Sequence, residues 1–170
     1  DLIPKAYVDF FIKIDEMRRK NIEFHFLLGN HDYWVQDYIE NTLMDNVYYE
    51  DAKININGKK FIITHGDGLL SWDHGYRILK RVIRSKLFIW ILRWLHPTLT
   101  YRLAKFISRS GYEDSNSMDN NQKVKDELVD IALSHFNKDY EYMICGHYHL
   151  GELFETKKGK LAVLGDWFHR

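Results

Sequence analysis

The chain has 170 residues, 45% of them apolar, and its 24 basic and 24 acidic side chains balance to a formal charge of zero. That length suits one domain with a genuine core, and the balance excludes a chain drawn by its global field to nucleic acid. Cys145 is the only cysteine, so no internal disulfide forms, in keeping with a reducing compartment, and the longest apolar run, residues 87–92, is far shorter than the roughly 20 residues of a spanning helix.

In chain order, Pro4 opens a helix running to about residue 20, with Tyr7, Phe10, Phe11, Ile14 and Met17 on one face at 3–4 spacing. Residues 22–28 (IEFHFLL) read as a buried strand that stops at Gly29, residues 33–43 as a short helix, and residues 47–50 (VYYE) as a strand. Residues 53–64 form the clearest hairpin. Ile54 and Ile56 alternate with polar residues, Asn57-Gly58 supplies a tight turn, and KFIIT returns. Residues 74–110 are helical and basic, 111–121 a polar loop, 122–136 a helix, and 140–167 strands joined by polar turns. Helices interleaved with strands predict an α/β fold whose sheets are covered by helices.

Three strands end alike. One runs into Gly29-Asn30-His31-Asp32, a second into His65-Gly66-Asp67-Gly68, a third into Gly146-His147-Tyr148-His149. Ligands collect beyond the carboxyl ends of strands in open α/β sheets, so three such ends can converge. Imidazole and oxygen donors suit divalent Mn, Fe, Zn or Co, whereas thiolates would point to structural zinc; Cys145, inside a strand, reads as core. Taken singly, each histidine is an ordinary residue, and Gly-Asn-His-Asp is also a good turn sequence. Their repetition at three strand ends predicts a metal site, and paired metals are a recurrent solution for phosphate-ester hydrolysis. His25, His96, His135 and His169 are left as ordinary histidines.

The motifs GNHD, HGDG and GHYH, in this order and spacing, resemble the calcineurin-like metallophosphoesterases. Residues 64–85, WLHP (94–97) and LGDW (164–167) are similar to the branch of that family that hydrolyses UDP-2,3-diacylglucosamine in the lipid A pathway. The resemblance implies an αββα sandwich, here incomplete, with a helical cap insert at about 74–112 in a single domain over 1–170. It implies two divalent ions, Mn first among them, with Asn30, His65 and His147 matching ligands of one ion and His149 of the other. His31 matches the catalytic histidine beside the phosphoryl group, and Asp73 a residue that meets the sugar. Asp32 is expected to orient His31, and Asp67 is either a similar support or a solvated turn residue. The family's earlier Asp-x-His and Gly-Asp elements do not precede Asp1. The expectation is therefore an amino-terminally truncated piece with little activity alone, its end at Arg170 also early.

Between Asp73 and Glu113 no acidic residue occurs. Arg77, Lys80, Arg81 and Arg84 share one helical face, opposite Ile78, Leu79, Val82, Ile83 and Trp90, with a break expected near Ser85. After Pro97, Arg102, Lys105 and Arg109 line up opposite Leu99, Leu103, Phe106 and Ile107. An ordinary surface helix pair would show this pattern. So would an interfacial cap whose apolar face meets acyl chains or a membrane surface and whose cations meet phosphates. The implied partners are a lipid-linked UDP-sugar, bound by Asn30, His31, Asp73, Arg77, Arg81 and His147, and the cytoplasmic face of the inner membrane. Nucleic acid is not expected.

Overall fold

The computed structural model describes residues 7–32, 35, 38–94 and 118–166. Its larger sheet has five strands: β3 (Ala52–Ile56), β4 (Lys59–Thr64), β5 (Tyr142–Cys145), β6 (Leu150–Glu155) and β7 (Lys160–Gly165), in spatial order β3-β4-β5-β7-β6. The central strands β4, β5 and β7 run parallel, and each edge strand pairs antiparallel with its neighbour. Asn57 and Gly58, with φ of 52° and 82°, make the β3–β4 turn, whose positive dihedrals match the twist of the strands it joins.

Helix α4 (Met118–Phe136) covers one face of this sheet. Its Leu128, Ala132 and Phe136 recur every fourth residue and meet Ile62, Met143, Cys145, Leu161 and Val163, which alternate along β4, β5 and β7. The two periodicities interlock: every second strand residue and every fourth helix residue is removed from water. Burying each large side chain contributes about 1.5–3 kcal/mol. This is the core, and Cys145 lies within it as expected.

The amino-terminal part forms a second, two-stranded parallel sheet of β1 (His25–Leu27) and β2 (Asn46–Tyr48). Helix α1 (Val8–Arg18) is tied to it by the Arg18–Asp45 ion pair at 2.8 Å, and Asp45 also accepts from Phe24 N at 2.7 Å. Two expectations need correction here. The strand predicted buried over 22–28 spans three residues and is half-buried at best, because β2 is its only ladder partner among the described residues. Of the face predicted on α1, only Ile14 is buried, while Tyr7 and Phe10 (59% exposed) face solvent. Of the helix predicted over 33–43, residues 33, 34, 36 and 37 lie outside the described residues, and Ile39–Leu43 is a π-helical turn that seats Leu43 in the interior.

The insert begins as two helices, α2 (His74–Ile83) and α3 (Lys86–Arg93), broken where expected. Ser85 is extended and accepts from Phe88 N through its hydroxyl at 3.2 Å, capping α3. The second amphipathic helix with Arg102, Lys105 and Arg109, WLHP beyond Trp94, and Trp167 lie outside the described residues. No described helix is long and apolar enough to cross a membrane.

Candidate functional site

β4 and β5 are parallel neighbours, so the loops leaving their carboxyl ends start side by side: Thr64 pairs with Cys145, and His65 and Gly146 follow. The turn after β1 reaches the same place from the smaller sheet. His65 Nε2 lies 3.0 Å from Asn30 Oδ1, and the His65 and His147 rings are 5.3 Å apart. Three segments far apart in sequence thus bring a carboxamide and two imidazoles together.

Small residues make this approach possible. A Cβ on Gly29 would stand 2.9 Å from the His65 ring, and one on Gly66 2.8 Å from Cys145 Sγ and 3.1 Å from the Gly146 carbonyl. Gly66 also has φ +102°, a conformation open to glycine and strained for any other residue. The loops are then stitched together: Tyr148, between the two histidines of GHYH, donates its hydroxyl to the Gly66 carbonyl at 2.8 Å. Burial raises the Tyr148 pKa well above the ordinary phenol range. His147 and His149 both adopt positive φ, 66° and 52°, and this turns two residues that would alternate in a strand.

Electrostatics keeps the central imidazoles neutral. Burial, followed by the nearby His65, lowers the His147 pKa to about 4; burial likewise lowers that of His65. A neutral imidazole is the form that binds a cation. His31 and His149 are exposed at the mouth, close enough for their charge to oppose protonation of His147.

Asp32 does not orient His31 by a hydrogen bond. Its carboxylate instead accepts from Gly29 N at 3.2 Å and closes the turn that carries Asn30. Asp67 is not a solvated turn residue: its side chain is 5% exposed, 2.7 Å from Lys80 Nζ, and accepts from the Tyr76 hydroxyl at 2.9 Å. Asp73 occupies the N-cap of α2 without capping it through its side chain, and burial raises its pKa. Arg77 donates to the Ser71 carbonyl of the preceding loop at 2.8 Å and stands 3.2 Å from Nδ1 of His74, in the first turn of its own helix. Arg81 is exposed and, among the described residues, makes no hydrogen bond or ion pair to the histidine loops. Tyr76 and Lys80 were given no part in the site from the sequence, Lys80 entering only with the basic face of the insert, and Tyr148 was given none either. The signal for the first two was their i, i+4 spacing on α2, which puts them on one face.

The donor set fits one divalent ion in part. The Asn30 side-chain oxygen and the His65 ring nitrogen, 3.0 Å apart, are donor types that a divalent ion takes. Among the described residues no three His, Cys, Asp or Glu side chains gather closely enough to hold an ion by themselves. The nearby carboxylate of Asp67 is engaged by Lys80 and Tyr76.

No family model matches the chain. Among curated proteins, the UDP-2,3-diacylglucosamine hydrolase of Porphyromonas gingivalis is 28% identical, covering 98% of this chain and 70% of that protein. The proteins of the same name from Aeromonas salmonicida and Pseudomonas entomophila are 27% and 29% identical, covering 91% and 76% of this chain. This chain is similar to these hydrolases over most of its length. It spans 62% and 53% of the length of the latter two hydrolases.

Proposed function

We propose that the protein carrying this chain is a metal-dependent hydrolase of the metallophosphoesterase kind. It cleaves the pyrophosphate bond of UDP-2,3-diacylglucosamine to UMP and 2,3-diacylglucosamine 1-phosphate, in lipid A biosynthesis. The reading is carried by the meeting of Asn30, His65 and His147 at strand ends, in a chain homologous over nearly its whole length to hydrolases named for that substrate.

Asn30, His65 and His147 would hold one divalent ion and His149 a second, Mn²⁺ being the expected species. Two such ions supply Lewis acidity and a nucleophile at neutral pH. The protein's own groups do the rest. The rigid β1, β4 and β5 fix the donors, and rigidity matters because misplacing reacting groups by about 1 Å can cost about a hundredfold in rate. His31, exposed beside the buried pair, can place a proton on the leaving oxygen or donate to the phosphoryl oxygens. Asp73, Arg77 and Arg81 would meet the sugar and its phosphates.

The cap supports a lipid substrate. Ile78, Val82, Leu87, Trp90 and Trp94 are exposed along α2 and α3 and offer an apolar surface to acyl chains. The same surface would seat the protein on the cytoplasmic side of the inner membrane without crossing it. The test is release of UMP from UDP-2,3-diacylglucosamine by the protein in Mn²⁺, expected to fall by orders of magnitude in His65→Ala. Turnover of bis-p-nitrophenyl phosphate with no turnover of the lipid would overturn the substrate assignment.

A further inference from the structure

Helix α2 holds the loop that carries His65, and it does so through a buried carboxylate. Lys80 approaches Asp67 at 2.7 Å and stands 3.4 Å from the Asp67 carbonyl, while Tyr76 donates to the same carboxylate oxygen at 2.9 Å. One turn of helix separates the two residues, so they grip Asp67 from one face. The Tyr76 ring is 6.2 Å from that of His147. Beneath it Gly68 packs so closely that a Cβ there would sit 3.2 Å from both Tyr76 and Arg77. The loop is therefore pressed against α2 on one side and tied to the His147 turn by Tyr148 on the other. Desolvation offsets much of the attraction in a buried ion pair, so its value here lies in geometry more than in stability.

We propose that Lys80 and Tyr76 are positioning residues: by holding Asp67 they tie the 65–68 loop, and the spacing of His65 and His147, to the seating of the cap helix. Lys80 acts through Asp67 and is no part of the donor set. The placement of the imidazoles follows from the contacts alone; only its effect on metal binding rests on the reading above.

The test uses the full chain with Lys80→Met, Lys80→Arg and Tyr76→Phe, followed by the imidazole ¹H–¹⁵N signals and by calorimetry with Mn²⁺ alone. Lys80→Met should move the ring signals of His65 and His147 while leaving that of His135, on α4, in place. Its Mn²⁺ affinity should fall about 10- to 100-fold, the usual cost of losing a group that orients a ligand. Lys80→Arg, which keeps the charge, should restore both. If Lys80→Met fails to fold, Tyr76→Phe should still move the two signals, by less. Ring signals that shift in Lys80→Met when the wild-type chain itself does not bind Mn²⁺ support the positioning role and count against the metal reading. Signals of His65 and His147 that stay at their wild-type positions in both Lys80→Met and Tyr76→Phe overturn the proposal.

Discussion

The α4 side of the large sheet and the α2–α3 insert are both amphipathic, yet they are oriented in opposite senses. On α4 the apolar residues face inward, and Leu128 is fully buried. On α2 and α3, Ile83 and Leu92 are buried but Ile78, Val82, Leu87 and Trp90 face water, and Trp94 is 77% exposed. It is the cations that turn toward the body: Arg77 to the Ser71 carbonyl, Lys80 to Asp67, and Arg84 to the Tyr49 carbonyl at 3.0 Å. An amphipathic pattern gives two faces and does not say which goes inward. The partner surface decides. The sheet offers α4 a row of apolar side chains; the loops beside α2 offer a carboxylate and backbone carbonyls.

The contrast can be broken most severely in the core. Leu128→Ala should destabilise the fold by about 2–5 kcal/mol, the usual range for a buried large-to-small change. Leu87→Ala on α3 should stay within about 0.5 kcal/mol, as at other exposed positions. Urea midpoints of the two variants read the difference directly, and equal losses would erase the distinction between the regions.

Next in size is Gly66→Ala, at the seam between the regions. Its positive φ and the Cys145 and Gly146 atoms in the way predict a loss of about 1–3 kcal/mol. Thermal melting would show it, and an unchanged midpoint would contradict the tight loop contact. Ser85→Ala removes the cap of α3 and should cost about 0.5–2 kcal/mol. Amide exchange should then quicken in α3 and remain slow in α4. Faster exchange spread evenly over both would mean that the insert is not a separate local unit.

The last expected effect is on pH. In the metal-free chain His147 has a folded pKa of about 4 against an ordinary 6.5, and burial also depresses those of His65 and His135. Below the ordinary value the unfolded chain takes up protons that the folded chain refuses. The stability these groups contribute is complete above about pH 6.5 and declines as pH falls toward 4. The urea midpoint should be lower at about pH 5 than at about pH 7.5, less so in His135→Gln, which removes one depressed group. A midpoint that rises on acidification would reverse the assigned sign.

Much of this was legible in the sequence because short-range chemistry controls it. Asn57-Gly58 dictates its turn, Ser85 the break between α2 and α3, and the place of Cys145 inside a strand its burial in the core. The convergence of GNHD, HGDG and GHYH was also readable, since strands β4 and β5 had only to lie parallel for His65 and His147 to meet. What the sequence hid depends on partners distant along the chain. Asp67 gave no sign that it is buried, because its partners arrive from a helix whose orientation periodicity leaves undetermined. The exposure of Tyr7 and Phe10 on α1 was hidden likewise: spacing identifies a face and is silent on what lies against it.

The central claim is that Asn30, His65 and His147 serve one cation, and the most direct measurement is paramagnetic broadening of the imidazole signals during Mn²⁺ titration. The account predicts that His65 and His147 vanish first and together, and that Asn30→Ala weakens the effect, while His25 and His135 stay sharp. Uniform broadening of all the histidines, or loss of His25 or His135 before His65, would contradict it.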